Sequence, residues 1–444
     1  MRKTLLDRAA GHEIDLILTH PKHEWARRTL TDLIGDLRSC RHDDLYDFQQ
    51  RLFEIVLGVE EHRAQVRRVI TRLRRGQKIP AGAPELGIAS EPLNPESWLL
   101  EEEVLERVWR QLKSVGDALA WRAFSFDRRI IVALSRGEPA GPMFGKTGLD
   151  TERRFVDEAW RDRGEFVLHH DLTSALRIAD VSIFQRDGSV LLQEIKTNQR
   201  YRVRKQDKLV IDTSRALADG GALPGGYFPV CTEVPYKTNL TALREVLWLA
   251  HERQGIQGAR LPYGRALLAC SLYTAPNRYS PDSFNQTLAR QVERYRRKTG
   301  IRSADHSLTF CSLDRVARAP AYPPWAIYPV TPDVAASLTA DAMFFYVLLS
   351  PDAILGALSD VGVDAQWLQR LDGSEDFSKP LLRVARNAGR QINFTTLNPD
   401  AFLHLALELI DIPSWVRQVA LTLDGGIRDV RPWPCFKEEH RTWA

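Results

Sequence analysis

Hydrophobic positions in the first 78 residues fall at helical spacing, with Leu30, Leu33, Ile34 and Leu37 on one face. This helical region ends in a basic stretch from Arg63 to Lys78 that contains Arg67, Arg68, Arg72, Arg74 and Arg75. A run without periodicity follows, from Ile79 and Pro80 through Gly82, Pro84, Pro92 and Pro95, and reads as a linker over 79–97. Helical spacing resumes at Val104, Leu105, Val108 and Leu112. Glu101, Glu102 and Glu103 place negative charge in the first turn of that helix, where the dipole favours it. Up to about residue 275, helices alternate with strand-like runs. A helix capped by Asn239 carries Leu240, Leu243, Val246, Leu247 and Ala250 and stops at Gly255, and Ala266–Ala269 reads as a short buried strand. The remainder, 276–444, is a second mixed region. It holds a strand at Phe344–Leu349, a helix opened by Ser350-Pro351, another helix over Ala401–Ile410, and scattered tryptophans.

The stretch from Arg177 to Lys196 differs in kind. Two β-type runs flank Arg186-Asp187-Gly188-Ser189, which predicts a β-hairpin. Side chains alternate along a strand, so Glu194 and Lys196 share a face. A two-residue loop at Asp187-Gly188 would place Asp180 opposite Ile195 and on the wrong face. A three-residue loop, Arg186-Asp187-Gly188 with Gly188 left-handed, pairs Gln185 with Ser189 and sets Asp180 opposite Glu194. The three-residue loop is the expected one.

Composition narrows the classes. At 444 residues, 44% hydrophobic and 27% charged, the chain has room for two or three ordinary domains with buried cores. The formal net charge of +4 makes it no polycation, so attraction to nucleic acid must come from local clusters of Lys and Arg. Cys40, Cys231, Cys270, Cys311 and Cys435 lie far apart with no C-x-x-C pair, which speaks against a disulfide framework or a structural zinc site and fits a reducing cytoplasm. The charged start, Met1-Arg2-Lys3, does not read as a signal peptide. The apolar run Ala342–Leu349 is far below the ~20 residues a spanning helix needs, so no membrane role is expected.

Like charges facing each other across strands destabilise a sheet unless a cation lies between them. Carboxylate oxygens suit Mg²⁺ or Mn²⁺, which also bind phosphate oxygens, and the amine of Lys196 can steady an attacking water or the charge building on phosphorus. Two acids, a metal and a lysine form a set for phosphodiester hydrolysis. Asp180, the hairpin, and Glu194-Ile195-Lys196 resemble the D…(D/E)-x-K signature of the restriction-endonuclease-like PD-(D/E)XK superfamily, over roughly residues 150–215. The proline of the family's name is replaced by Ala179.

The resemblance implies an α/β fold over 98–275, with a mixed central sheet flanked by helices. It implies a metal held by Asp180 and Glu194, with Glu152 on an upstream helix and the carbonyl of Ile195 as further ligands, and Gln206 as a polar residue on the following helix. Glu152 has two readings, a further metal ligand or an acid stabilising the first turn of its helix. Glu158 is a substitute for it. Arg200, Arg202, Arg204, Lys205 and Lys208 read either as phosphate contacts beside the cleavage site or as a solvated face.

Gly145-Lys146-Thr147 suggests a phosphate loop, but Ala140 stands where that motif needs glycine, so the segment reads as a loop leading to the helix at Thr151. His169-His170-Asp171 reads as a turn before the hairpin, and His20 and His23 as structural. The resulting expectation is a cytoplasmic Mg²⁺- or Mn²⁺-dependent nuclease acting on DNA in defence or repair, working as a homodimer or with a partner protein. The alternative is a nucleic-acid- or partner-binding module that keeps the fold without the chemistry.

Overall fold

The computed structural model describes residues 17–87, 95–135, 141–195, 204–219, 236–253, 255–272, 281–302, 306–314, 320, 322–368, 377, 379–388 and 391–424. The chain is mixed α/β. Its first half is helical: α1 (Pro21–Ser39), α2 (Leu45–Arg74), α3 (Pro95–Ala123) and α4 (Arg128–Leu134). The stripe read from the sequence is the buried face of α1, where His23, Ala26, Leu30, Leu33, Ile34 and Leu37 point inward. α2 lies along α3, burying Leu52, Val56, Val59 and Val66 from one side and Val104, Leu105, Val108 and Leu112 from the other.

A unit of different texture follows: α5 (Leu149–Glu158), β1 (Phe166–His169), β2 (Val181–Phe184), β3 (Val190–Gln193) and α6 (Arg204–Asp219). Its strands form a three-stranded antiparallel sheet in the order β1-β2-β3. The second half holds α7 (Leu240–Glu252), β4 (Ile256–Leu261), β5 (Arg265–Ser271), α8 (Pro281–Lys298), β6 (Leu308–Cys311), α9 (Pro332–Thr339), β7 (Met343–Leu349), α10 (Pro351–Asp360), β8 (Asp364–Trp367), β9 (Leu382–Ala388), β10 (Gln391–Leu397), α11 (Pro399–Ala406) and α12 (Ile412–Leu423). These strands make two further antiparallel sheets, β4-β5-β7-β6 and β10-β9-β8. β5 is buried along its whole length, as its apolar run predicts.

Several expectations change. Among the described residues every strand pairing is antiparallel, so the parallel pairing that a mixed sheet requires is not among them. Among the described residues β3 is an edge strand of its sheet, and Leu191 is 49% exposed although Val190-Leu191-Leu192 is an apolar run. Asn239 precedes α7 without capping it through its side chain. Instead its backbone and side-chain N–H groups both donate to the carbonyl of Leu409, at 2.8 and 3.3 Å. Leu409 is left-handed, and α11 accordingly ends at Ala406, short of the expected Ile410. One cluster of buried apolar side chains extends from Ile17 to Leu423, crossing the positions near 78, 97 and 275 where composition changes. Cys40, Cys270 and Cys311 are free thiols. No helix among the described residues is long and apolar enough to cross a membrane.

His23 sits on the buried face of α1, 2% exposed. Burial, with the charge of Arg107 adding to it, pushes its pKa down to about 4. The unfolded chain therefore binds a proton that the folded chain refuses between about pH 4 and 6.5, and stability rises with pH across that window. The contribution is complete above the unfolded pKa and lost as pH falls toward 4, and is worth at most about 3 kcal/mol. Unfolding midpoints followed from pH 7 to pH 4 should fall, and His23→Leu should flatten the fall. An unchanged pH profile in that variant would remove His23 as its source.

Candidate metal centre

The hairpin loop takes the three-residue form. Gln185 and Ser189 are bonded at 2.9 Å and Gly188 has φ +84°. The ladder runs to Val181–Gln193, and one step further Asp180 is bound on both sides of Glu194. The Asp180 amide donates to the carbonyl of Gln193 at 3.1 Å, and its carboxylate Oδ2 accepts from the amide of Ile195 at 2.7 Å. This contact aims the Asp180 side chain along the end of β3.

Ala179, just before it, is left-handed with φ +70°. Proline is locked near −65°, so the residue that names the resembled family cannot occupy this backbone. The strain is held by His170. Burial, reinforced by the neighbouring charge of His169, pushes the His170 pKa down to about 4, so its ring is neutral at pH 7. The Nδ1 atom of His170 lies 3.0 Å from the Ala179 carbonyl and must donate to it, which leaves Nε2 to accept from the Ser182 hydroxyl at 2.7 Å.

Asp180 opens onto a cluster from three other segments. Glu152, in the first turn of α5, is 2% exposed. Its carboxylate oxygens lie 2.9 and 3.1 Å from the ammonium of Lys146, and 3.1 Å from Nε2 of His169 at the end of β1. Asp171, in the turn after β1, meets the same ammonium at 2.8 Å, and Asp180 lies 3.7 Å from it. Ligand atoms of Glu152, His169 and Asp171 all fall within 4.8 Å of one another.

Burial by itself would raise all three carboxyl pKa values. At Glu152 the close contact with His169 and the hydrogen bond from Lys146 outweigh it and hold the group below its ordinary value. At Asp171 the charges of His169 and Lys146 do the same. At Asp180 burial wins, helped by repulsion from Glu152 and Asp171, and the pKa is raised. The Lys146 ammonium is held charged by Asp171 and Glu152 despite its own burial.

The helical region builds this place. Gln49 of α2 donates to the carbonyl of Val167 at 2.8 Å and accepts from the amide of His169 at 3.0 Å, satisfying the outer edge of β1 as another strand would. Glu60 of α2 accepts from the Trp109 indole at 2.6 Å and from the amide of Phe144 at 2.8 Å, fixing the loop that carries Lys146. Lys113 of α3 donates to the carbonyl of Asp171. Asp117 accepts from the amides of Ser174 and Ala175, both at 2.8 Å. Between them Gly116 lets α3 meet the backbone of Leu172, where a Cβ would fall 1.9 Å from the carbonyl oxygen.

Of the residues singled out from the sequence, Asp180, Glu194 and Glu152 belong to this neighbourhood. Glu194 is half-buried and Ile195 contributes its amide to Asp180. Lys196, Arg200 and Arg202 lie outside the described residues. Arg204, Lys205 and Gln206 fall in the first turn of α6, with their side chains outside the described set, and Lys208 is exposed on that helix. Glu158 is exposed at the far end of α5 and is no substitute for Glu152.

Part of the basic run on α2 is absorbed by ion pairs, Arg63 with Glu102 and Glu106, and Arg67 with Glu102, while Arg68, Arg72, Arg74, Arg75 and Lys78 are exposed. Sequence reasoning missed Lys146, His169 and Asp171 as members of the cluster. Gly145-Lys146-Thr147 is a loop before the helix, as expected, and His170–Leu172 is a turn, yet both deliver side chains to one centre. The available signal was the proximity of an acid and a histidine to Asp180 at the opening of the hairpin.

No family model, no curated protein and no solved structure matches this chain.

The donor set fits a divalent cation. An ammonium already sits among Glu152, Asp171 and Asp180, which shows that the position favours positive charge. Carboxylate oxygens suit Mg²⁺ or Mn²⁺, and the imidazole of His169 moves the set toward transition metals.

Two outcomes follow for stability. Lys146→Met removes the ammonium that lies among the buried acids. Since Lys146 is itself 32% exposed, the loss should be near the lower limit for a broken buried pair, about 2–3 kcal/mol in metal-free buffer, and millimolar Mn²⁺ should restore most of it. A variant as stable as the parent without metal would show that the acids are not held by this ammonium. Gly116→Ala should cost about 3 kcal/mol or more in urea unfolding, because it pushes α3 off the turn that carries Asp171.

Proposed function

We propose that the chain is a metal-dependent nuclease of the restriction-endonuclease-like PD-(D/E)XK type that hydrolyses phosphodiester bonds in DNA. The observation that carries this reading is the convergence of Glu152 from α5 and Asp180 from the start of β2 on one cation position, with the Asp180 amide and carboxylate bound to the backbone on both sides of Glu194. The order α5-β1-β2-β3-α6 agrees with a nuclease core in which a helix supplies one acid and a hairpin supplies the others.

A bound Mg²⁺ or Mn²⁺ would supply charge stabilisation at the phosphate and a water acidified toward hydroxide. The residues do the rest. Asp180, aimed by the Ile195 amide, and Glu152, kept anionic by His169 and Lys146, hold the cation, with Glu194 at the end of β3 beside them. Lys196, outside the described residues, is assigned the role of orienting the attacking water from the sequence resemblance alone. The basic residues Arg200, Arg202, Arg204, Lys205 and Lys208 contact flanking phosphates, and a homodimer would supply two such centres for two strands.

A second reading has its own observation. The Lys146 ammonium fills the centre of the acids, and a lysine retained there would make the cluster a structural ion network in a binding module. Plasmid, linear duplex, single-stranded DNA and RNA, each incubated with Mg²⁺ or Mn²⁺, separate the two. Cleavage that falls about 100-fold or more in Glu152→Gln, Asp180→Asn and Glu194→Gln, with folding intact, is expected for the nuclease. A wild-type protein that binds these substrates and cuts none of them with either metal belongs to the second reading.

A further inference from the structure

Behind the turn that carries Asp171, α3 borders a cavity of about 300 Å³. Its wall carries the rings of Trp109, Trp121, Tyr322 and Trp325 together with Gln111 and the basic residues Arg110, Lys113 and Arg177. Lys113 is 2% exposed. Its ammonium donates to the carbonyl of Asp171 and lies 5.3 Å from the centre of the Trp109 ring. No carboxylate oxygen comes within 4.0 Å of it among the described residues. Its direct contacts are a neutral carbonyl and a ring face, which leave donors of the ammonium unused; burial lowers its pKa, and the more distant charges of Glu60, Asp171 and Asp117 only partly offset that.

Gln111, 5% exposed, donates through Nε2 to the carbonyl of Ala340 at 3.3 Å, while its buried Oε1 has no hydrogen-bond partner. The acid of the wall, Asp117, is occupied by Ser174 and Ala175. The cavity thus presents aromatic faces, a basic lining in which the Lys113 ammonium has no carboxylate within ion-pair reach among the described residues, and a Gln111 acceptor lacking a donor.

We propose that this cavity binds a small planar aromatic anion, a ring system bearing a phosphate or carboxylate group, with the anionic group on Lys113 and an N–H in or on the ring donating to Oε1 of Gln111. The volume is at the lower end for small-molecule sites, which suits one such molecule and not a polymer strand. The aromatic walls supply stacking surface, and the anion completes the ion pair that the fold leaves open. The site does not depend on the nuclease reading, since none of its contacts uses Glu152, Asp180 or Glu194. Thr173, Ser174 and Ala175 do form part of its wall, so the occupant rests against the turn that holds Asp171.

The test is titration of the full chain with AMP, UMP and indole-3-acetate, and with uncharged adenosine and indole, followed by tryptophan fluorescence and calorimetry. At least one anion should bind about tenfold or more tighter than its uncharged parent, and which anion does so separates a nucleotide from an aromatic carboxylate. Lys113→Met should abolish that preference, and Gln111→Leu should weaken the anion about tenfold. Saturation by none of the three anions, or a charge preference that survives Lys113→Met, would each overturn the proposal.

Discussion

Like charges brought together away from water are the central constraint of this structure. Glu152, Asp171 and Asp180 come from a helix, a turn and a strand end, and each would repel the others if no cation stood among them. The Lys146 ammonium provides that cation in the chain as folded. A cluster of this kind costs folding free energy unless it is compensated, and compensation by a side chain can be exchanged for compensation by a metal ion. Both functional readings of the protein are alternatives about which cation finally occupies the centre.

Holding the acids there requires the rest of the molecule. The sheet that supplies Asp180 and His169 is small, and its outer edge on β1 is finished by the side chain of Gln49 instead of another strand. Glu60 ties α2 both to Trp109 of α3 and to the loop before Lys146. Gly116 removes the side chain that would keep α3 from the Leu172 backbone. The helical N-terminal region is therefore part of the site's scaffold, in keeping with the unbroken apolar core from Ile17 to Leu423. The same α3 face that supports Asp171 also lines the aromatic cavity, so the turn over 171–175 is shared between an acidic centre on one side and a cationic pocket on the other.

Local chemistry made much of this legible beforehand. The buried stripe of α1, the buried run of β5 and the helix opened by Ser350-Pro351 follow from periodicity and capping, both short-range properties. The hairpin was equally readable, because Gly188 permits the left-handed residue that a three-residue loop needs and loop length dictates register. The exposed edge of β3 was not, since an apolar run looks the same whether or not another strand or helix covers it. The side chain of Asn239 was misread for a related reason: a capping residue can be drawn away by a distant acceptor, here the carbonyl of left-handed Leu409.

By itself the sequence determined the hairpin, its turn and the placement of Asp180 beside Glu194, because strand alternation and turn geometry act over a few residues. Only the tertiary structure decided that Glu152 faces inward, and that Lys146, His169 and Asp171 join it. Their meeting depends on helices α2 and α3 pressing two loops together across long stretches of chain. Electrostatic compensation is a property of distances in space, and no local pattern in the sequence encodes which distant charge will arrive to provide it.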